Sequence, residues 1–265
     1  MLEYSFMQNA LIGGVIIALV CGFVSVFVIL RRTSFAAHAL GHMSLTGAAG
    51  AALFGFPSLL GQILLDVVAS IVMGLMGDKV KKNDLAIGVV LTFVLGIGIY
   101  FLFLFQNNYA GSVMGILFGN IFAISHLQII QLLVLGTVIL ATLLVILRPL
   151  VFVSIDPVVA ESKNIPVRLI SVVFFVVLAL TVSMACQIVG VMLVFTLLII
   201  PGAIGNQWGA SIIQSLLVSI ISAVGAVILA LILSYHFDLP ASFCITMVLC
   251  LIYFIGGMKS LVFKR

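Results

Sequence analysis

Residues 10–32 read ALIGGVIIALVCGFVSVFVILRR, an unbroken apolar run closed by Arg31 and Arg32. About 20 consecutive apolar residues in a helix span the hydrocarbon core of a bilayer. The stretch, taken from roughly residue 8 to 30, is therefore long enough to cross, and the paired arginines mark where it leaves. The rest of the chain repeats the pattern. Of 265 residues, 65% are hydrophobic and only 7% charged, with a mean hydropathy of +1.47. A soluble domain carries about 25% charged residues, so a water-facing surface cannot be built here and a soluble enzyme is excluded. The fold class expected is an all-α polytopic membrane protein of eight to nine transmembrane helices, a single transmembrane domain over residues 1–265.

Further apolar runs fall at roughly 36–54, 58–77, 84–106, 127–147, 210–234 and 241–258. The stretch 169–206 is about twice one span's length and is expected to turn once near Gln187–Gly190. The piece Ser112–Ser125, with Gly115, Gly119 and Asn120, is short enough to be a partial or re-entrant helix. Lys and Arg mark cytoplasmic loops. This rule puts the ends of the first, third and fifth runs inside: Arg31-Arg32, the cluster Asp78, Lys79, Lys81, Lys82 and Asp84, and Arg148. The segment 154–168 and the C-terminal Lys259, Lys264 and Arg265 join them. With one turn inside 169–206, the N-terminus lies outside, the C-terminus lies in the cytoplasm and nine crossings result. A single broken helix there makes eight.

The basic excess, 11 Lys+Arg against 7 Asp+Glu, is thus a topology signal rather than a nucleic-acid surface. The N-terminal MLEYSFMQNA lacks a basic region and a cleavage pattern, so the first run reads as a retained span. Cys21, Cys186, Cys244 and Cys250 lie in apolar segments without a close pair and read as packing residues.

Ionisable side chains at membrane depth are costly and usually face a pathway or cavity. His38 and His42 stand four apart, which on a helix puts both imidazoles on one face. That is good geometry for two ligands of one transition metal. A metalloprotease is excluded, because HExxH needs a Glu after its first His and Ala39 stands there. Tyr235, His236 and Asp238, before Pro240, form a polar turn at the outer end of a helix. Asp238 is its candidate metal participant, either completing a site or receiving ions from a delivery protein. Asp66 is a lone acid inside the third run, readable as a ligand, a counter-charge for the histidines or a protonated helix contact, with the last preferred. His126 reads as an exposed helix start. Pro201-Gly202 is expected to interrupt an apolar helix, and Gly88, Gly96 and Gly98 to punctuate another; such breaks read first as packing features and alternatively as a gating hinge.

Ser154–Arg168 is the longest non-apolar segment. Asp156 as cap and Pro157 at the first helical position predict a short helix over Val158–Lys163, closed by Asn164 and Ile165-Pro166. Lying along the cytoplasmic face, such a helix suits docking to a soluble partner; a plain loop is the alternative.

In their order and spacing these segments resemble the membrane permease subunits of ABC importers for zinc, manganese and iron. The resemblance rests on Arg31-Arg32-Thr33-Ser34-Phe35 leading into His38-Ala39-Leu40-Gly41-His42, on Asp84-Leu85-Ala86-Ile87-Gly88 and on Gly115-Ile116-Leu117-Phe118-Gly119-Asn120. It continues in Asp156-Pro157-Val158-Val159-Ala160, Ile165-Pro166-Val167 and Val189-Gly190-Val191-Met192-Leu193-Val194 running to Ile199-Ile200-Pro201, and so covers essentially the whole chain. It implies a homodimer in a bacterial-type inner or plasma membrane, a cytoplasmic ATP-binding subunit and an extracytoplasmic metal-binding protein. Residues Asp156, Pro157, Ala160 and Pro166 match the element that couples to the ATPase. No GxxxxGK[ST] loop occurs, so ATP is expected to be used by the partner subunit and the chain not to be an enzyme.

Two positions depart from the family pattern. An Asp is usual where this chain has His38, and an Asp is frequent where it has Asn120. An imidazole in place of a hard carboxylate leans away from Mn2+ and toward Zn2+. The expected translocation site is His42, His38 and Asp238, holding Zn2+, or alternatively Mn2+ or Fe2+, only in transit and with no permanent cofactor. The competing readings are an ATP-independent, proton-coupled metal carrier and a membrane enzyme with a His-bound metal.

Overall fold

The computed structural model describes residues 4–75, 84–104 and 119–262. Ten α-helices run through them: α1 (Ser5–Leu30), α2 (Ser34–Leu53), α3 (Ser58–Leu75), α4 (Asp84–Leu104), α5 (His126–Ile155), α6 (Pro157–Ser162), α7 (Val167–Val189), α8 (Val191–Trp208), α9 (Ile212–Phe237) and α10 (Ala241–Val262). A 3-10 turn at Ile121–Ala123 precedes α5. Helices α1, α3, α5, α7, α8 and α9 are long and apolar enough to cross a membrane. Helices α4 and α10 contribute shorter apolar stretches, and α2 is dominated by small residues. A helix satisfies its own backbone, which is why a chain this apolar is helical throughout its described spans.

Helix α1 is the axis of the bundle, packed by α5, α7, α8 and α9. A second group forms around α2, which lies against α3, α4, α7 and α8, while α10 closes the far side on α8 and α9. Large apolar side chains cover the outside, among them Leu64 and Val68 on α3, Phe93 on α4 and Val145 on α5. In water this would be an aggregating surface; against acyl chains it is the expected one.

Small residues and hydroxyls make the inner contacts, as they do where helices pack in lipid. Ser219 on α9 donates to the Gly22 carbonyl of α1 at 2.7 Å and lies 2.9 Å from Ser25 Oγ. Helices α2 and α3 cross backbone to backbone at Gly47 and Gly61. A methyl group added to either would strike the other's carbonyl oxygen.

The expected turn in 169–206 falls at Gly190, which separates α7 from α8 with φ 83°. An L side chain rarely adopts that conformation. The backbone of Gly119 packs on this break, and the Asn120 amide donates to the Ile188 carbonyl at 3.0 Å. Of the piece expected over 112–125, residues 112–118 lie outside the described residues, as does the charge cluster at Asp78–Lys82. From Asn120 on, the chain forms the 3-10 turn, capped by Asn120 Oδ1 accepting from the Phe122 amide at 3.2 Å.

Two expectations change. The apolar pattern ends the fifth run at Arg148, yet α5 continues through Pro149 to Ile155. A proline within a membrane helix is tolerated because neighbouring groups re-satisfy the freed carbonyl. Likewise Pro201 and Gly202 leave α8 unbroken. Gly202 instead lets α8 approach the Ser25 backbone of α1, a packing role.

The α2–α3 crossing makes a definite prediction. Gly61→Val should destabilise the purified chain by about 1–3 kcal/mol or more, because overpacking meets backbone that cannot yield. Gly225→Ala on α9, where an added methyl meets nothing within 4 Å, should not lower the thermal unfolding midpoint and should raise it slightly, because Ala is the better helix former.

Candidate metal centre and coupling element

The chain reverses between α1 and α2 through a tight closure at Arg31-Arg32-Thr33. The Thr33 amide donates to the Val28 carbonyl at 3.0 Å and the Arg32 amide to Ile29 at 3.1 Å. This is the Schellman arrangement, here with Arg32 rather than glycine in the left-handed region at φ 56°. Arg31 turns inward, its Nη2 donating to Ser171 Oγ at 2.7 Å and its guanidinium lying 5.1 Å from the Phe174 ring centroid on α7. The entry to α2 is thereby anchored to α7 just before the histidines.

On α2 the predicted pair is together. The His38 and His42 rings stand 4.6 Å apart, centroid to centroid, at 82°. Phe195 of α8 lies edge-on against His38 at 4.6 Å. Both imidazoles are half-buried. They share a stripe of α2 with Phe35 and Leu45 that faces away from the bundle, flanked by the exposed Met192 and Phe195 of α8. His38 Nδ1 is nevertheless buried and without a hydrogen-bond partner. A nitrogen held away from water with nothing to bond is an exception among buried polar groups and calls for a reason. An imidazole pair suits zinc, copper, iron or nickel.

Asp238 sits elsewhere. It ends α9 in the left-handed region, φ 51°, where its backbone turns toward Pro240. Ser234 Oγ closes that turn on the Leu239 carbonyl at 2.6 Å. Asp238 lines a surface pocket of about 370 Å³ with Phe6, Met7, Phe122 and Tyr235. His236 is exposed, its ring 5.6 Å from Tyr235. Among the described residues, no three His, Cys, Asp or Glu side chains gather within metal-binding reach. Within one chain, then, Asp238 does not join the two imidazoles. His126 is exposed at the start of α5, as expected.

Asp66 is fully buried and points away from the histidines. Its Oδ2 accepts from Ser44 Oγ on α2 and from Ser183 Oγ on α7, the latter at 2.7 Å. Gln62, one turn earlier, is equally buried, and neither of its amide atoms has a partner. Reading the sequence passes over Gln62, although a Gln four residues before an intramembrane Asp is the available signal.

At the other candidate element, Asp156 caps α6 as predicted, its Oδ1 accepting from the Val158 and Val159 amides at 3.0 and 3.1 Å. Pro157 takes the first helical position. The far end closes through Asn164 at φ 58°, with the Ile165 amide on the Ala160 carbonyl at 3.1 Å. Both ends of this six-residue helix are therefore capped, which holds a segment too short to persist alone. Lys163 Nζ lies 4.9 Å from the Phe152 ring centroid, stapling α6 to α5. Ala160 faces inward and is fully buried, while Val158, 75% exposed, and Val159 project outward beside Ile155. Of the four residues expected at the coupling element, Ala160 thus seats the helix, and Val158 is an exposed apolar side chain the sequence did not single out.

The ABC 3 transport family matches residues 3–260. The chain belongs to that family. It is a transport subunit rather than an enzyme, embedded in the membrane by several helices. The manganese import system permease protein ScaB of Streptococcus gordonii is 30% identical over 96% of this chain and 91% of its own length. A probable iron transport system membrane protein of Haemophilus influenzae is 30% identical over 92% and 90%. Among solved structures, PsaBC from Streptococcus pneumoniae in complex with Fab superposes with a TM-score of 0.86 at 27% identity, over 99% of this chain and 96% of that one.

The cap of α6 gives the second prediction. Asp156→Ala removes the acceptor for two amides and should cost α6 about 1 kcal/mol, raising hydrogen exchange at Val158 and Val159 about fivefold. Amides in the middle of α7 should not change.

Proposed function

We propose that this chain is the permease subunit of an ATP-driven importer of a divalent transition metal, with Zn2+ as its preferred ion. The observation that carries the reading is the imidazole pair on the outward stripe of α2, with His38 Nδ1 buried and unpartnered. Polar side chains turned to lipid are costly, so this stripe has reason to face protein. Two nitrogens also fall short of the four ligands zinc takes. A second copy meeting the first along α2 satisfies both demands, bringing four imidazoles to one interface. Asp238, in the outer turn, receives the ion from an extracytoplasmic metal-binding protein. Residues 154–168 lie in the cytoplasm, where α6 docks its Val158–Val159 face on the ATP-binding subunit. The N-terminus is outside and the C-terminus inside.

The relatives' names favour a second reading of the ion. ScaB is named for manganese, which hard oxygen donors serve, and the Haemophilus protein for iron, which imidazole also suits. His38 is what separates this chain from the carboxylate-bearing pattern and tips the preference toward zinc.

The test is the zinc, manganese and iron content of cells lacking their own importers and expressing this chain with its ATPase and delivery protein. Zinc should rise, fall back to background in His42→Ala, and give way to manganese in His38→Asp. A rise in manganese alone in the unaltered chain would assign that ion instead. No change in any metal would end the metal reading. Imidazole binds metal only as the neutral base. Uptake should therefore fall severalfold as the outer medium is taken to about pH 5, and uptake indifferent to acid would contradict histidine ligation.

A further inference from the structure

A second polar group lies on the opposite side of α2 from the histidines, and the transport reading makes no use of it. Asp66 stands at the middle of α3, without solvent exposure. From α2 it meets Ser44, and from α7 it meets Ser183. No cationic side chain among the described residues compensates it. Both serine hydroxyls lie within hydrogen-bond reach of Oδ2, Ser183 sharing its proton with the Ala179 carbonyl at 3.0 Å, whereas Oδ1 is buried with no partner. One turn back on the same face, Gln62 Oε1 and Nε2 are buried with none either. Residues four apart on a helix are neighbours, and Gln with Asp is a pair that bonds at that spacing.

An uncompensated carboxylate inside a bilayer is neutralised by a metal ion or by a proton. The arrangement disfavours the metal. Asp66 is a lone carboxylate, since among the described residues no three His, Cys, Asp or Glu side chains gather, and neutral hydroxyl and amide oxygens around one carboxylate make a poor set for a divalent ion. A proton on Oδ1 needs no added space. It turns that oxygen into a donor, and Gln62 Oε1 is an acceptor within a side-chain rotation.

We propose that Asp66 is a membrane-embedded proton-binding site, in which Oδ1 carries the proton, Gln62 Oε1 accepts it, and Oδ2 receives the Ser44 and Ser183 hydroxyls. The neutral carboxyl then ties α2, α3 and α7 together from within. Ser44 lies two residues beyond His42, so the helix that presents the imidazoles is seated on this proton. The site stands apart from the transport reading, since it requires neither the metal nor the ATPase.

Infrared spectroscopy of the full chain in lipid vesicles at neutral pH tests it. The carbonyl stretch of an un-ionised carboxyl group should be present and should vanish in Asp66→Asn. That variant mimics the neutral acid and should fold with an unchanged thermal midpoint. Gln62→Leu should keep the band and move it to higher frequency as its hydrogen bond is lost. Absence of the band in the unaltered chain would overturn the proposal, as would a band that emerges only after dialysis against a chelator. Failure of Asp66→Asn to fold would show that the charge itself is required. A band unmoved in Gln62→Leu would remove Gln62 as the acceptor.

Discussion

The backbone crossing of α2 and α3 at Gly47 and Gly61 sets the direction of every polar side chain on α2. With no Cβ on either residue, the two helices approach until carbonyl meets backbone, and α2 has no freedom to roll. One side of it then delivers Ser44 to Asp66. The opposite stripe carries His38 and His42 out of the bundle beside Phe195. A side chain of any size at the crossing would push α2 away from α3 and disturb both groups at once.

The bilayer supplies the second constraint, because polar groups at depth have no water to fall back on. The hydroxyls find partners within the bundle: Thr181 Oγ1 bonds Val177 one turn back, and Ser25 and Ser219 bond each other across α1 and α9. Against this background the unpartnered atoms stand out. Among them are His38 Nδ1 on one face of α2, and both amide atoms of Gln62 with Asp66 Oδ1 behind the other. Arg31, by contrast, is held at the mouth of α2 through Ser171 and Phe174, so its charge is spent on anchoring the helix.

Much of the fold was legible because apolar run length and helix span are the same physical quantity. The break at Gly190 and the cap at Asp156-Pro157 were legible too, since a positive φ and a side-chain acceptor require particular residues. The end of α5 was not, because Arg148 signals where the membrane stops rather than where the helix does. Of the site, the His38–His42 pairing followed from spacing of four on one helix. What lies opposite Asp66 did not, for Ser183 is 117 residues away in sequence and only tertiary packing brings it there. Nor could sequence say that Ala160 points inward and Val158 outward. A helix as short as α6 has too few turns to show a periodic pattern.

The proposed function requires the imidazoles of α2 to hold the transported ion. X-ray absorption at the zinc edge, on the purified complex loaded with zinc, observes those ligands directly. The account predicts nitrogen ligands at about 2.0–2.1 Å with the outer scattering of histidine rings, present in the unaltered complex and lost in His42→Ala. Zinc bound with oxygen or sulfur ligands alone, or an unchanged spectrum in His42→Ala, would contradict it.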